Sequence, residues 1–234
     1  MNLQKDLINF LASNDIEIVD KRDENCNKDS IDKMAHIDNL VKIQKAILAY
    51  DKPYSIGLSS FIWKDIEMFK MWNRRGRKII KDYNLKELES IVNKAEKSIN
   101  AIYKTPYLNL IHRAMDNNEI CVGKTSESNI WRNEKINILD LNKMNFNLME
   151  HDCYKYLLKF KKKDISLHYN KIIDYFVESQ SLGKDSKIYI CSLLSYPYES
   201  MKTIQKEYLR ETLNREDILK KSEILRDFYN ESLV

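Results

Sequence analysis

The chain has 234 residues, of which 43% are hydrophobic and 32% are charged, and only four are Gly and three Pro. A chain of this length buries a full core without metal or disulfide staples, and so few Gly and Pro argue against an all-β fold and for long helices. Its 39 basic and 35 acidic residues nearly balance at a net charge of +4. No apolar run approaches the roughly 18 residues that a membrane span needs.

The N-terminal segment MNLQKDLINFLASND lacks the apolar block of a signal peptide, so we expect synthesis in the cytoplasm. The four cysteines, Cys26, Cys121, Cys153 and Cys191, lie far apart and form no CxxC pair. They predict reduced, mostly buried small hydrophobic side chains instead of a disulfide framework or a metal site.

The first 31 residues are predicted to form a separate short piece. A helical apolar stripe over residues 3–12 is followed by strand-like alternation over 16–20. Residues 21–33 are polar apart from Cys26 and Ile31, which is typical of a linker. The predicted domains are therefore a helix–strand remnant with its linker at 1–31 and a helical domain at 32–234.

Helical periodicity dominates this second domain. The helix over 34–50 is predicted to bury one apolar face, made of Ile37, Leu40, Val41, Ile47 and Leu48. Ser59 or Ser60 is predicted to cap the next helix, in which Gly76 is a weak point worth about 1 kcal/mol against Ala. The predicted helices cover 34–50, about 61–83, 84–103, 107–115, 151–160, 166–179, 184–195, 199–213 and, capped by Asn214, 217–229.

Two basic clusters, NRRGRK at 73–78 and KFKKK at 159–163, allow two interpretations. Either they are solvated helix faces or helix ends, which is what such runs usually are, or they contact phosphate or an anionic surface. No interleaved aromatic and basic pattern supports nucleic-acid binding, so we favour the first interpretation.

The segment EICVGKTSESNIWRNEKINILDLNK, residues 119–143, interrupts the helices. Two short β-branched runs, at 120–122 and 136–139, flank a polar loop, and the second run ends at Asp140. Short apolar runs separated by turn residues predict strands, and a small hairpin would pair them. A polar loop that leads to a strand ending in a carboxylate is a place where catalytic chemistry is expected.

This arrangement resembles the catalytic region of the kinase-like aminoglycoside and choline phosphotransferases. Their loop reads H-G-D-x-x-x-x-N, and a later strand ends in an acidic motif. The matching positions here are Val122, Gly123, Lys124 and Asn129 in the loop, and Asp140 and Asn142 at the strand end. The spacing of Gly123, Lys124 and Asn129 fits, whereas the His and the Asp of the loop motif are replaced.

The chain is also similar to the CotS-type spore coat proteins, a branch of that superfamily. Four segments occur in the order of that family, over about residues 32–213: ICVGKTSESN, INILDLN, HDCYKYLLKF and SLLSYPYESMKTIQKEYL. The resemblance implies a mainly α fold, namely a kinase-like C-terminal lobe with a small β-hairpin in a helical body. The helix and strand in front correspond to a short remnant of an N-terminal lobe. A glycine-rich loop and a phosphate-pairing Lys have no counterpart.

The resemblance also implies that catalysis has been lost. Phosphoryl transfer needs an Asp to orient or deprotonate the acceptor, and side-chain oxygens to hold Mg²⁺. Lys124 stands where that Asp belongs, and an ammonium group carries its proton at neutral pH. Asn129 and Asp140 remain as metal ligands, but Asn142 replaces a second acidic residue, so we expect no cofactor. A simpler interpretation is that Asp140 caps its turn and Asn129 bonds its own loop.

We therefore expect a catalytically inactive kinase-like protein that binds other proteins, itself included, in spore-coat assembly. An apolar face without its partner lobe would be the interface, with Tyr54, Phe61, Trp63 and Trp72 as candidates that also fit a helix core. Two alternatives stay open. One is a small phosphotransferase or nucleotide-binding protein with an altered site, and the other is a helical protein that binds an anionic surface or nucleic acid.

Overall fold

A computed structural model describes residues 3–21, 32–51, 57–162, 167–209 and 216, and these residues form a mainly helical protein with small β-sheets. The helices are α1 (Leu3–Ala12), α2 (Lys33–Leu48), α3 (Lys64–Tyr83), α4 (Glu89–Tyr103), α5 (Tyr107–Asp116), α6 (Glu150–Lys161), α7 (Tyr169–Ser179), α8 (Lys184–Ser195) and α9 (Tyr198–Leu209). The strands are β1 (Ile16–Ile18), β2 (Ile120–Cys121), β3 (Ile130–Arg132), β4 (Ile136–Ile138) and β5 (Asn145–Phe146).

Several predictions fall outside the described residues: most of the linker, Tyr54, the helix over 217–229 and its Asn214 cap. The chain clusters into two compact units. The first consists of Met1–Ile62, Leu108–Leu157 and His168–Lys187, and the second of Trp63–Tyr107, Leu158–Leu167 and Ile188–Val234. In the part of the chain that the structure describes, no helix is both long enough and apolar enough to cross a membrane.

The first unit is built around two small sheets. One has the strand order β1-β4-β3, in which β3 and β4 form the predicted hairpin and β1 runs parallel to β4, with Ile16 opposite Ile136. The other pairs β2 with β5 in an antiparallel ladder. Because β1 comes from residues 16–18 and β4 from residues 136–138, the N-terminal strand is part of the same sheet as the hairpin.

Helix α2 crosses this unit and is buried over a wide face. Asp32 caps it, because its carboxylate accepts the N–H of Met34 at 3.0 Å. The predicted apolar face is correct except at Leu48, which is 42% exposed. α2 packs against α7 as well as against β2 and β3, so the polar side chains of His36, Asn39 and Gln44 are buried too.

The second unit packs α3 against α4 and α9. Gly76 lies where α3 packs closely on α4, because an added Cβ would stand 2.9 Å from Cγ2 of Val92. The residue expected to weaken the helix therefore permits close helix packing. Tyr196, at the break between α8 and α9, stacks on Phe69 with ring centroids 4.0 Å apart.

Helix α3 begins later than predicted, at Lys64, and neither Ser59 nor Ser60 caps it. Ser60 forms a parallel bridge to Phe146, and the N–H of Phe61 donates to the carbonyl of Phe146 at 2.9 Å. The backbone of residues 59–61 is thus committed to an extended segment beside β5 and cannot start a helix.

The basic clusters combine exposed side chains, those of Arg74, Arg77 and Lys78, with contacts inside the second unit. In NRRGRK, Asn73 is buried, Arg75 donates to Gln205 at 3.2 Å, and Arg77 pairs with Glu96. In KFKKK, the Lys161 ammonium donates to the carbonyl of Leu194 and the Lys162 ammonium pairs with Glu199, and Lys163 lies outside the described residues. Both clusters therefore supply contacts that hold helices together.

Candidate functional site

The loop between β2 and β3 and the end of β4 lie together in the first unit. Val122 is buried, and Gly123 has a φ of +76°, a left-handed conformation that favours glycine. The loop also runs close to the segment before β5, because a Cβ on Gly123 would lie 2.2 Å from the carbonyl oxygen of Lys143. Gly123 is thus required by both its backbone conformation and its surroundings.

Lys124 and Asp140 form an ion pair at this site. Nζ of Lys124 lies 3.1 Å from Oδ2 of Asp140, and their side chains are 42% and 26% exposed. Oδ1 of the same carboxylate accepts the N–H of Asn142 at 2.7 Å, which is the turn-capping bond that a strand-end Asp commonly forms. The Asn142 hydrogen bond and then the Lys124 hydrogen bond lower the pKa of Asp140. Both carboxylate oxygens therefore face nitrogen donors.

Asn129 joins the loop to the strand end. Its side chain is fully buried, and its amide nitrogen donates to the carbonyl of Lys124 at 2.8 Å and to the carbonyl of Asp140 at 3.1 Å. Its Oδ1 is buried and has no hydrogen-bond partner among the described residues. Asn129 thereby ties together the main chains of the two residues that form the ion pair.

Asp152, at the start of α6, holds the loop through hydrogen bonds to its backbone. Sequence reasoning missed this role. Its carboxylate accepts the N–H groups of Val122 at 2.7 Å and of Gly123 at 2.9 Å, and the side-chain amide of Gln44 at 3.0 Å. Burial raises the pKa of Asp152 to about 6, although these three hydrogen bonds oppose the rise. The segment HDCYKYLLKF has an Asp next to a His at a helix start, and this was the available signal.

A second polar group, also not predicted, connects α5, the residue before β2, and α6. The guanidinium of Arg113 donates to Glu119 at 2.7 Å and to Glu150 at 2.8 Å, and both carboxylates are fully buried. Its Nη1 also donates to Oγ of Ser186 at 3.1 Å. Burial raises the pKa of Glu119, while its bond to Arg113 opposes the rise. Two buried carboxylates that share one partly buried cation fix the position at which β2 enters the loop.

The other side of the loop rests on α2 and α6. A ring nitrogen of His36 lies 2.9 Å from the carbonyl oxygen of Thr125, and the His36 ring stacks on Tyr156 with centroids 4.5 Å apart. The hydroxyl of Tyr156 donates to Glu127 at 3.0 Å, and Glu127 also pairs with Lys33 at 3.7 Å. His36 therefore packs between the loop and Tyr156 of α6.

The donors at this site do not fit the Mg²⁺ that phosphoryl transfer requires. The ammonium of Lys124 contacts one carboxylate oxygen of Asp140, and Asn142 presents its N–H to the other. Mg²⁺ prefers one or two carboxylates together with water, and a neighbouring cation opposes its binding. Across residues 3–21, 32–51, 57–162 and 167–209, moreover, no three His, Cys, Asp or Glu side chains cluster so as to hold a metal.

Comparison with known proteins adds no family: no protein-family model matches the chain, and no curated protein matches it.

Proposed function

We propose that this chain is a catalytically inactive, kinase-like protein that acts by binding other proteins. The observation that carries the proposal is the ion pair between Lys124 and Asp140. A base for phosphoryl transfer must accept a proton from the acceptor hydroxyl, and a protonated ammonium cannot do so. The same ammonium neutralises the one carboxylate at the strand end, so the site lacks the two acidic functions that the reaction uses.

The arrangement of the loop supports the kinase-like part of the proposal. β2, the loop, the β3–β4 hairpin and Asp140 follow in the order that the resemblance implies. Two of the three loop positions that match the family motif in spacing, 124 and 129, lie in one hydrogen-bonded group with Asp140, whereas Gly123 donates its N–H to Asp152. A spore-coat setting depends on the four sequence segments alone and remains part of the proposal.

Nucleotide binding and turnover test the inactive site. We expect no release of phosphate from ATP with Mg²⁺ and no change in melting temperature when both are added. A ligand present at 100 times its dissociation constant would raise the unfolding free energy by about 2.7 kcal/mol, which is a shift of several degrees for a chain of this size. ATP turnover that is lost in Asp140→Asn and retained in the exposed-site control Asp116→Asn would establish the phosphotransferase alternative instead.

Exposed aromatic side chains in the second unit support the binding role. Trp63 is 45% exposed and Tyr103 is 47% exposed, and both meet the buried ring of Tyr107 edge to face. Phe61, in the first unit, is also exposed, whereas Trp72 is buried against Phe69 and belongs to the core. Trp and Tyr are enriched among the few residues that carry most of the binding energy at protein interfaces.

A second copy of the chain is the partner that we expect at the Trp63–Tyr103 cluster. The sedimentation coefficient should rise with protein concentration, and the double variant Trp63→Ala/Tyr103→Ala should remain monomeric. Tyr83→Ala is the matched control, because Tyr83 is an equally exposed aromatic residue of the same unit. The prediction is wrong if the native chain stays monomeric up to about millimolar concentration. It is also wrong if Tyr83→Ala weakens self-association as much as the double variant does.

A further inference from the structure

We infer that helix α3 of a second copy docks antiparallel on the outward face of α3. In this pairing Arg74 of each copy meets Glu67 of the other, and Lys78 of each copy meets Trp63 of the other. The inference rests on the self-association proposed above, because Trp63 belongs to the same cluster. It goes further by naming the surface of the second copy that the cluster receives and the direction in which the two helices run.

The outward face of α3 carries opposite charges toward its two ends. Five residues spaced by four, three, four and four positions share this face: Trp63, Glu67, Lys70, Arg74 and Lys78. Glu67 lies in the acidic first turn, whereas Arg74 and Lys78 lie in the C-terminal half and are exposed. An aromatic ring and a carboxylate therefore occupy the N-terminal part of the face, and two cations occupy its C-terminal part.

The charged groups of this face have capacity for a partner. The ammonium of Lys70 donates to Oε1 of Glu67 at 2.8 Å, and Oε2 of the same carboxylate accepts no hydrogen bond from the described residues. Arg74 and Lys78 form no ion pair with any residue that the structure describes, unlike Arg77, which is bound to Glu96. One carboxylate oxygen and two cations on the same face are thus available to another chain.

An antiparallel pairing about a two-fold axis brings these opposite charges together. When the axis passes between positions 70 and 71, position 67 of one copy faces position 74 of the other, and position 63 faces position 78. Each contact occurs twice, because both copies use the same surface. A parallel pairing would place Glu67 against Glu67 and Arg74 against Arg74, and like charges repel. Opposed helix dipoles favour the antiparallel direction as well.

Both contacts are of kinds that stabilise interfaces. The planar guanidinium of Arg74 matches the geometry of a carboxylate such as that of Glu67. A cation over the face of an aromatic ring is attracted by the ring, and Trp gives the strongest attraction. Lys70 already has this relation to the other exposed ring of the cluster, since its ammonium lies 5.2 Å from the centroid of Tyr103. Lys78 of the second copy would supply the corresponding cation at Trp63.

Reversal of the charges tests the pairing by sedimentation equilibrium. The dissociation constant of the dimer is measured for the native chain, Glu67→Arg, Arg74→Glu and the double variant. Lys86→Glu is the control, because Lys86 is an exposed basic residue of the same unit. Each single variant creates two like-charge contacts, so its dissociation constant should rise at least about tenfold. The double variant restores opposite charges and should lie within about threefold of the native value.

An equimolar mixture of Glu67→Arg and Arg74→Glu separates a lost contact from a damaged fold. In a dimer that contains one copy of each variant, both contacts between positions 67 and 74 join opposite charges again. The mixture should therefore associate within about threefold of the native chain, although neither variant does so alone. Mixing cannot rescue a variant that has failed to fold.

The outcomes distinguish this pairing from the proposed function. A dimer that requires Trp63 and Tyr103 but keeps its dissociation constant in both single variants rejects the pairing and leaves self-association through the cluster intact. The pairing is also rejected if neither the mixture nor the double variant recovers, or if Lys86→Glu dissociates as much. A monomeric native chain that binds a polyanion column through Arg74 and Lys78 rejects both. The inactive site is judged independently, by ATP turnover.

Discussion

Substitution of Gly123 by Ala should be the most damaging small change in the candidate loop. The backbone at Gly123 has a φ of +76°, and an added Cβ would lie 2.2 Å from the carbonyl oxygen of Lys143 and 2.9 Å from its carbonyl carbon. Both neighbours are backbone atoms, so no side-chain rotation relieves the contact. The segment at Lys143 or the loop itself must move.

The expected loss of stability has three parts. A left-handed conformation costs a residue other than glycine about 1 kcal/mol or more. Moving the loop weakens the 2.9 Å bond from the Gly123 N–H to Asp152, and a buried group that loses its partner costs about 1 to 3 kcal/mol. The steric contact adds to both. A total of at least about 3 kcal/mol corresponds to a fall in melting temperature of about 6 to 12 °C.

Two other glycines provide matched controls for the two causes. Gly57 has a φ of +68° but no atom within 4 Å of an added Cβ, and Gly183 has open space at that position as well. Calorimetry should therefore rank the variants by their unfolding free energy. Gly183→Ala should leave it nearly unchanged, Gly57→Ala should lower it by about 1 kcal/mol, and Gly123→Ala should lower it most. If the unfolding free energies of Gly123→Ala and Gly57→Ala differ by less than about 1 kcal/mol, the close approach of Gly123 to Lys143 is wrong.

The buried acids predict the pH dependence of stability. Because burial raises the pKa of Asp152 from 3.8 to about 6, its contribution to the unfolding free energy is complete below about pH 4 and is lost as pH rises through about 6, a total of about 3 kcal/mol. Urea unfolding between pH 4.5 and 7.5 should show this decline of the unfolding free energy in the native chain and a flatter pH profile in Asp152→Asn. The exposed-site variant Asp116→Asn is the control and should follow the native chain. Parallel profiles for the native chain and Asp152→Asn would contradict the prediction. Glu119→Gln should flatten the profile in the same direction, because burial also raises the pKa of Glu119, and should lower stability at every pH by weakening its bond to Arg113.

Local sequence patterns predicted most helices and the existence of the hairpin. The helix over 184–195 was predicted with the observed bounds, and β4 ends one residue earlier than expected. Cys121, Cys153 and Cys191 are buried, as their spacing and type indicated. These features depend on neighbours three or four residues apart, or on one strand and its turn, and such relations can be read directly from the chain.

Supporting contacts of the candidate site could not be predicted in this way. The signal for Asp152 was present, but its partners Val122, Gly123 and Gln44 lie 29 to 108 residues away in the chain. The Arg113 group likewise gathers side chains from three elements. No periodicity relates such positions, because their proximity arises only when the elements pack.

By itself, the sequence determined a mainly helical chain, the polar loop between two strands, and the positive charge at residue 124, since these follow from residue types and local spacing. Tertiary structure decided that Lys124 faces Asp140, that Ser60 pairs with Phe146 and does not cap a helix, and that the N-terminal strand joins the hairpin. A backbone hydrogen bond or an ion pair between distant residues forms only after packing brings them within about 3 Å, and packing is a property of the whole unit.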